Sequence, residues 1–254
     1  MGFFASTGIL NQRGFFSAPL SAAPPAFSPT DIADLIVWLK ADTGISQSGG
    51  VVTSWADQSG QNNDFASSAG AEPTLISSEI NSLPAVDFAG DKYMTASVNY
   101  TFTGQTFLIV FRYSSNASTY GRLFSQWDAN NTWDFELADS YLPFLRNQGA
   151  DEIATYAGGW FFAEAVSDDN AYLAISKHNG STFTLQINNG SEVTDSSTLN
   201  AAIATFAISA SNVNFVGNDT FNSKVAEILV YSRALNSQEL DNLKTYLNGR
   251  YAIY

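Results

Sequence analysis

The most regular pattern of hydrophobic and polar positions lies at residues 224–251. Its first part, residues 225–231, is a nearly continuous apolar run rich in aliphatic side chains. A run of this length and composition is typical of a strand that is covered on both faces. A helix signal follows it directly. The pattern therefore predicts a buried strand joined to one docked helix.

The helix signal includes both ends and an apolar stripe. Asn236 is a favoured N-cap residue, and Glu239 lies three positions later, where it closes a capping box. Gly249, preceded by Asn248, predicts a left-handed stop. Apolar residues at helical spacing predict the face that docks: Leu235, which can staple onto Leu240, followed by Leu243 and Leu247.

Short apolar or alternating runs recur along the rest of the chain and predict strands. They cover residues 35–40, 51–55, 85–88, 93–96, 106–113, 122–127, 132–137, 171–177, 181–187, 204–209 and 214–216. Turn residues predict hairpins at Gly90-Asp91, at residues 128–131 and at Asn179-Gly180. The first run also fits a helical stripe, and periodicity alone leaves that choice open. Many short strands with one clear helix predict an all-β sandwich or barrel.

Residues 1–29 differ from the rest of the chain because they lack helical or strand periodicity. They are rich in alanine and proline, which favours an extended arm. The segment also carries pairs of aromatic residues, Phe3 with Phe4 and Phe15 with Phe16. A tail that remains in water rarely carries so many aromatic side chains. The two interpretations are a disordered tail and an arm that docks on a partner through these four phenylalanines.

Four motifs occur in a recognisable order. They are Leu35-x-x-Trp-Leu-Lys-Ala-Asp42-Thr-Gly44, then Ser54-Trp-Ala-Asp57-Gln-Ser-Gly60 with Asn63-Asp64, then Pro84-Ala-Val-Asp-Phe-x-Gly90, and finally Ala226-Glu-Ile-Leu-Val-Tyr-x-Arg-Ala-Leu235 with Glu239. Together they resemble the laminin-G-like branch of the concanavalin A-like lectin/glucanase superfamily. The resemblance covers roughly residues 30–254. Asn222 departs from it, because many such domains have glycine before the last strand.

The resemblance implies a two-sheet antiparallel jelly-roll sandwich, with one short C-terminal helix, at residues 30–254. Domains of this type often occur in bacterial and phage surface proteins. A domain of this kind that follows an aromatic arm at residues 1–29 resembles a virion component. The resemblance is much less specific for function, because unrelated functions share this fold.

Composition restricts the classes of partner. The chain has 11 Lys and Arg residues against 24 Asp and Glu, a formal net charge of −13. Nucleic acids and anionic membranes attract clustered basic side chains, so neither is an expected partner. The absence of cysteine excludes disulfides and thiolate metal sites. No apolar stretch is long enough for a membrane span, and no basic segment at the N-terminus indicates a secretory signal.

The segment from Trp127 to Glu136 is the predicted ligand site. Sugar sites combine aromatic surfaces with amide and carboxylate groups that bind hydroxyls. The candidate ligand residues are Trp127, Asp128, Asn130, Asn131, Trp133, Asp134 and Glu136. The alternative is that the tryptophans belong to the core. Glycan hydrolases of this superfamily carry Glu-x-Asp-x-x-Glu, which is absent here, and Asp134-x-Glu136 is the nearest carboxylate pair.

Two further polar positions have a functional and a structural interpretation. Asp57, Asn62, Asn63 and Asp64 place oxygen ligands in one loop and suggest a calcium site. The alternative is that these side chains only stabilise turns. A second acidic loop, at residues 168–170, is open to the same two interpretations. His178 is the only histidine, and its place beside a hairpin turn predicts an exposed residue without a catalytic role.

These observations lead to a functional hypothesis with one alternative. The leading hypothesis is a non-enzymatic virion structural or decoration protein on a capsid or tail surface, held by residues 1–29 to other virion or surface proteins. The alternative is a module that binds host glycans, or less plausibly hydrolyses them, outside or on the surface of a cell. Calcium is the candidate ion, and the sequence predicts no other cofactor. We also expect a homo-oligomer, of which a trimer is one form.

Overall fold

The described residues fold mainly as β-strands, with one α-helix at residues 237–251. The structure is a computed structural model, and it describes residues 26–114, 120–127, 144–147, 151–156, 160–165, 167, 169–196, 201–210 and 222–254. The strands are β1 Leu35–Lys40, β2 Ile45–Ser48, β3 Val51–Trp55, β4 Phe65–Ser67, β5 Thr74–Ile80, β6 Leu83–Asp87, β7 Met94–Phe102, β8 Gln105–Tyr113, β9 Tyr120–Arg122, β10 Phe124–Trp127, β11 Phe144–Asn147, β12 Asp151–Tyr156, β13 Trp160–Ala165, β14 Ala171–His178, β15 Thr182–Ile187, β16 Val193–Ser196, β17 Ala201–Ile208 and β18 Ser223–Tyr231. The helix is α1, Ser237–Tyr251.

The larger sheet is built around β18. Its strand order is β16-β15-β14-β8-β18-β6-β5, and β1 also pairs with β18. The whole of β18 pairs antiparallel with β8 on one side. On the other side, β6 pairs with the start of β18 and β1 pairs with its second half. Every residue of β18 except Lys224 is buried. The prediction of a central, covered strand at residues 225–231 is confirmed.

A second sheet of six strands, which we call the smaller sheet, packs against the inner face of the first and completes the sandwich. Its strand order is β10-β17-β7-β4-β3-β2, and its pairs are antiparallel. Between the two sheets the ring of Phe124 lies 5.4 Å from the ring of Phe107 and 5.4 Å from that of Phe206, centroid to centroid. A further sheet has the order β13-β12-β11-β9. The predicted all-β sandwich of two antiparallel sheets is confirmed.

The helix α1 covers the outer face of the larger sheet. Its buried residues are Leu240, Leu243, Leu247 and Tyr251. They share one hydrophobic cluster with Leu108, Leu173 and Leu229 of β8, β14 and β18. Leu235 belongs to the same cluster, as the predicted staple requires. The Asn236 cap and the capping box with Glu239 are both present. The smaller sheet receives no such cover from α1, so the two outer faces of the sandwich differ.

The sequence prediction for the end of this helix is wrong. The helix continues through Gly249, and Ala252 adopts the left-handed conformation with φ 49°. Tertiary contacts explain the extra turn, because Tyr251 is buried against the larger sheet. Asn248 closes this end instead of stopping the helix, since its Oδ1 accepts hydrogen bonds from the backbone N–H groups of Ile253 and Tyr254.

The predicted hairpin at Gly90-Asp91 is also wrong. β6 pairs with β5 and β18 in the larger sheet, whereas β7 pairs with β4 and β17 in the smaller sheet. The connection therefore crosses from one sheet to the other. Asn222, which departs from the family pattern, holds this crossing, because its Oδ1 accepts a hydrogen bond of 2.9 Å from the N–H of Gly90. Local turn chemistry did not reveal which sheet each strand joins.

The residues just before β1 pack on the folded domain. Phe27 packs edge-on against Tyr246 of α1, with ring centroids 6.2 Å apart. Pro29 begins a short 3-10 turn, Pro29–Asp31, and its carbonyl oxygen accepts a hydrogen bond from the Tyr231 hydroxyl. These contacts tie residues assigned to the arm to the domain. Residues 1–25, including Phe3, Phe4, Phe15 and Phe16, lie outside the described part of the chain.

Replacing the cap residue Asn236 with alanine should lower the free energy of unfolding by about 1 kcal/mol. The side chain of Asn236 accepts a hydrogen bond of 3.0 Å from the N–H of Glu239, which would otherwise lack an intrahelical partner. Asn242→Ala is the matched control, because Asn242 is exposed on the same helix and bonds only to Gln238. Urea unfolding of both variants measures the difference. Equal midpoints would contradict the importance of the cap.

Candidate functional site

A groove runs along one side of α1 and is lined mainly by polar side chains. We call it the helix groove; it has a volume of about 460 Å³ and is lined by Asn189, Asp241, Lys244, Thr245, Asn248, Gly249 and Tyr254. Four of these residues, from Asp241 to Asn248, recur at helical spacing and so lie along one side of α1. Asn189 reaches the groove from the turn between β15 and β16.

The aromatic residue of the helix groove is exposed and yet held in position. Tyr254 is 47% exposed, and it is the only large hydrophobic side chain in the exposed class among the described residues. Asn248 fixes its backbone from both sides: the Nδ2 of Asn248 donates to the carbonyl oxygen of Tyr254 at 2.7 Å, and the Oδ1 accepts from the Tyr254 N–H at 3.0 Å. One side chain therefore locks the segment that follows the helix.

The turn that supplies Asn189 is held equally well. Asn188 has a left-handed backbone, φ 54°, and its Oδ1 accepts a hydrogen bond of 2.8 Å from the N–H of Leu173 in β14. The N–H of Gly190 donates to the carbonyl oxygen of Ile187, which closes the turn. Both walls of the helix groove are therefore anchored to regular secondary structure.

The helix groove contains charges of both signs. Asp241 and Lys244 lie three positions apart on α1, and neither side chain has a hydrogen bond or ion pair to another described residue. Partial burial raises the pKa of the Tyr254 hydroxyl, and the negative charge of Asp241 adds to this shift. The phenol therefore remains protonated at neutral pH and can both donate and accept a hydrogen bond.

A second depression lies between the margins of the two sheets, and we call it the edge cleft. Its volume is about 390 Å³, and it is lined by Ala41, Asp42, Thr43, Gly44, Ile45, Gln47, Leu75, Ser77 and Pro84. Within the described residues, β2 and β5 are the outermost strands of their sheets on this side. Gly44 has φ 78°, and a Cβ atom there would lie 2.7 Å from the side chain of Gln58. The loop at this end of the edge cleft therefore requires glycine.

The carboxylate in the edge cleft is already engaged. Asp42 Oδ2 accepts a hydrogen bond of 2.8 Å from Arg250, and Oδ1 accepts one of 3.1 Å from the Thr43 hydroxyl. Lys40 Nζ lies 3.9 Å from the same carboxylate. Burial acts to raise the pKa of Asp42, but the hydrogen bond and charge of Arg250, helped by Lys40, hold it below its usual value.

Arg250 also reaches a fully buried carboxylate between the larger sheet and α1. Glu227 of β18 is 0% exposed. Its Oε1 accepts hydrogen bonds from Trp38 Nε1 at 2.7 Å and from the Tyr246 hydroxyl at 3.1 Å. Its Oε2 accepts a hydrogen bond from the Tyr251 hydroxyl at 2.8 Å and lies 3.2 Å from Arg250 Nε. Four donors from β1 and α1 therefore converge on one side chain of β18.

The groups around Glu227 shift one another's pKa values. Burial raises the pKa of Glu227, while the hydrogen bonds from Trp38 and Tyr251 and the charge of Arg250 oppose that shift. Burial, together with the charge of Glu227, raises the pKa of the Tyr251 and Tyr246 hydroxyls. Each tyrosine therefore remains a hydrogen-bond donor. A carboxylate without solvent access contacts no ligand, so we assign this cluster to the attachment of α1.

The structure brings the predicted calcium ligands together in one loop. Asp57 Oδ1 accepts hydrogen bonds from the N–H groups of Trp38 and Ser59, and Oδ2 accepts from the Ser59 hydroxyl and the Asn63 N–H. Asp64 Oδ1 accepts a hydrogen bond from the N–H of Asp57. The Asn63 side-chain amide donates to the carbonyl oxygen of Ile36. These bonds hold the loop against β1.

Asn62, the fourth predicted ligand, has a left-handed backbone with φ 58°. Across the ranges that the structure describes, no group of three or more His, Asp or Glu side chains is arranged to hold a metal ion. Because Asn and backbone oxygens also bind calcium, the calcium site at residues 57–64 stays a prediction. Of the second acidic loop, Asp169 and Asn170 are described and exposed, and residue 168 is not described.

The predicted ligand segment lies largely outside the described residues. Trp127 ends β10, and its backbone is paired with Thr205 of the smaller sheet. The other candidates fall in residues 128–143, which are not described: Asp128, Asn130, Asn131, Trp133, Asp134 and Glu136. Their role in ligand binding stays a prediction. The same holds for partner binding by the arm at residues 1–29, the virion location and the homo-oligomer.

The prediction that His178 is an exposed turn residue is wrong. Its side chain is only 1% exposed, and its backbone, at the end of β14, is flanked by Gln105 of β8 and Phe183 of β15. Its Nδ1 accepts a hydrogen bond of 2.8 Å from the N–H of Gly180. The histidine therefore stabilises the predicted Asn179-Gly180 hairpin from inside. The position of His178 next to the turn did not reveal that it belongs to a strand flanked by β8 and β15.

Comparison with known proteins yields structural likeness only. No protein-family profile and no curated protein matches the sequence. Among solved structures, domain 4 of AbnA, an extracellular arabinanase from Geobacillus stearothermophilus solved in complex with arabinotriose, is 13% identical. The likeness has a TM-score of 0.58 and covers 82% of this chain and 98% of that domain.

Two longer proteins show the same likeness. The binding domain of Paraclostridial Mosquitocidal Protein 1 is 14% identical with a TM-score of 0.58, over 87% of this chain and 53% of that one. Trypanosoma rangeli sialidase in complex with sialic acid is 13% identical with a TM-score of 0.60, over 85% of this chain and 33% of that one. The chain therefore spans about half of that binding domain and a third of that sialidase.

The fold is an antiparallel jelly-roll β-sandwich. The likeness supports the predicted sandwich architecture, and it does not single out the laminin-G-like branch or phage proteins. At these levels of identity it establishes architecture and no activity. No helix in the described ranges has the length and apolar character needed to cross a membrane.

Proposed function

We propose that this β-sandwich is a carbohydrate-binding module. The observation that carries the proposal is the match of one sandwich to nearly the whole of arabinanase domain 4, which was solved with arabinotriose bound. The surface of the chain offers suitable chemistry. The helix groove and the edge cleft are both lined by amides, hydroxyls and single carboxylates among apolar groups. Saccharides are bound by such mixed surfaces.

Binding is favoured over hydrolysis by the way the carboxylates are arranged. Glycoside hydrolysis requires two carboxyl groups that face one scissile bond. Each described groove contains a single carboxylate, Asp241 in the helix groove and Asp42 in the edge cleft. Asp42 is paired with Arg250, so it is a poor proton donor. The predicted pair Asp134 and Glu136 provides the alternative, a hydrolase, which the experiment below tests.

The proposal predicts that the purified full chain binds a restricted set of glycans on an array that includes arabinotriose. Each positive glycan, added free in solution, should displace the protein from the array, which controls for non-specific adhesion. Titration calorimetry should then give a dissociation constant. The array is run with calcium and with a chelator. Binding that requires calcium would support the predicted site at residues 57–64.

Two outcomes would overturn the proposal. Absence of binding to any glycan of the array would show that the sandwich serves another purpose. Release of reducing ends from a bound glycan, lost in Glu136→Gln, would identify a hydrolase instead. Binding that persists in Glu136→Gln without release of reducing ends is the expected result.

A further inference from the structure

We propose that the helix groove binds the neutral end of a saccharide, with Tyr254 as the aromatic surface on which one sugar ring stacks. This inference rests on the proposed carbohydrate-binding function and names the site and the ligand class. It differs from the sequence-based prediction, which placed the ligand at residues 127–136; of these only Trp127, at the end of β10 in the smaller sheet, is described. The helix groove lies beside α1, on the opposite side of the sandwich.

The first argument is the state of Tyr254. An aromatic ring that is 47% exposed gains little from packing on its own protein. Nevertheless, both backbone polar groups of this residue are held by Asn248, at 2.7 and 3.0 Å. Because the backbone of Tyr254 is already fixed, a ligand that covers the ring has only the side-chain torsions to order. The C–H face of a sugar ring is a suitable apolar partner for it.

The second argument is the set of polar groups around the ring. Asp241 accepts hydrogen bonds, Lys244 donates them, and the amide of Asn189 does both. None of these three side chains is engaged by another described residue, so each is available to a ligand. Adjacent hydroxyls of a sugar can bond to a carboxylate and an ammonium group at the same time. Gly249 has no side chain and no heavy atom within 4 Å of its Cβ position, so the groove remains open there.

The third argument favours neutral sugars over acidic ones. Asp241 lies close enough to Tyr254 for its charge to contribute to the raised pKa of that phenol. A carboxylate or sulfate on a stacked sugar would therefore meet the negative charge of Asp241, with Lys244 as the only cation in the groove. The net charge of −13 also disfavours the approach of an anion. A neutral, hydroxyl-rich end avoids both costs.

The edge cleft is the less suitable of the two depressions. Both oxygens of Asp42 are already bonded, to Thr43 and Arg250. Aromatic side chains are absent from its lining residues. A saccharide there would have to displace existing interactions and would find no ring on which to stack.

The test uses the full chain and saturation-transfer NMR with calorimetry. The probes are arabinotriose, maltose, lactose and sialyllactose, of which the last two differ by one acidic sugar. We expect the chain to bind at least one neutral probe and to bind lactose no more weakly than sialyllactose. Tyr254→Ala should weaken binding of the neutral probe at least about tenfold, because the stacking surface is lost.

Two variants separate stacking from other effects. Tyr254→Phe keeps the ring and should retain affinity within about threefold, since only one hydroxyl is removed. Asp241→Asn keeps the shape of the side chain and removes its negative charge. It should therefore reduce any difference in affinity between lactose and sialyllactose. Both sites are exposed on the surface, and thermal unfolding confirms that each variant remains folded.

The possible results test the helix groove as the binding site separately from the carbohydrate-binding function. Binding that survives in Tyr254→Ala, or a preference for sialyllactose in the wild type, would overturn the helix groove as a neutral-saccharide site. Other glycans found on the array would then still support the carbohydrate-binding module. Failure to bind any of these probes and any glycan of the array would overturn both proposals.

Discussion

Replacing Glu227 with alanine should lower the free energy of unfolding by about 3–5 kcal/mol, as expected when one partner of a buried ion pair is removed. The side chain is 0% exposed and accepts from Trp38, Tyr246 and Tyr251. Its loss would leave these donors without an acceptor and Arg250 without its buried partner. Urea unfolding, followed by tryptophan fluorescence, measures the effect.

Two further variants make the result interpretable. Glu192→Ala removes a carboxylate from an exposed position and should change stability by less than about 0.5 kcal/mol. Glu227→Gln retains the size of the side chain and one acceptor oxygen, so it should cost less than alanine. A Glu227→Ala protein as stable as the Glu192→Ala protein would show that the cluster does not attach α1.

Replacing Ile228, the next residue of β18, should lower the free energy of unfolding almost as much, for a different reason. Ile228 is 0% exposed and belongs to the cluster between the two sheets, whereas Glu227 points towards α1. Ile228→Ala removes buried methyl groups and leaves a cavity, which should cost about 2–5 kcal/mol. The measurement is again the urea midpoint together with the slope of the transition.

Ile76→Ala is the matched control for this second variant. Ile76 lies on the outermost strand β5 and is only half-buried. The same chemical change there should cost clearly less, because the neighbouring groups can relax into the space. Equal losses at both positions would contradict the central place of β18 in the core.

Much of the fold could be predicted because its signals are local. The apolar run of β18, the cap at Asn236 and the Asn179-Gly180 turn each depend on a few neighbouring residues, and the structure confirms them. The errors concern relations between distant segments. The residues after Asp87 enter the other sheet because of pairing with strands far along the chain. His178, which is buried, lies on a strand that pairs with β8, some 70 residues earlier in the sequence, and a local turn signal does not reveal that pairing.

The candidate site was harder to predict than the fold. Asp241, Thr245 and Asn248 occur at helical spacing, but a polar stripe beside an apolar one normally indicates a solvated helix face. That face becomes a groove because Asn189 lies beside it and because the backbone of Tyr254 is hydrogen-bonded to Asn248. Neither contact follows from periodicity. The aromatic signal at Trp127 and Trp133 instead predicted a ligand site at residues 127–136.

The central position of β18 has a consequence for synthesis on the ribosome. β1, β6 and β8 all pair with residues 223–231, and Pro29 accepts a hydrogen bond from Tyr231, which lies 202 positions later. None of these strands can complete its pairing before that late segment leaves the exit tunnel. Contacts of such long range also slow the search for the native topology. The nascent segment should therefore remain open, with unpaired apolar strand edges, until residues 223–231 have been translated, and it should rely on chaperones during that interval.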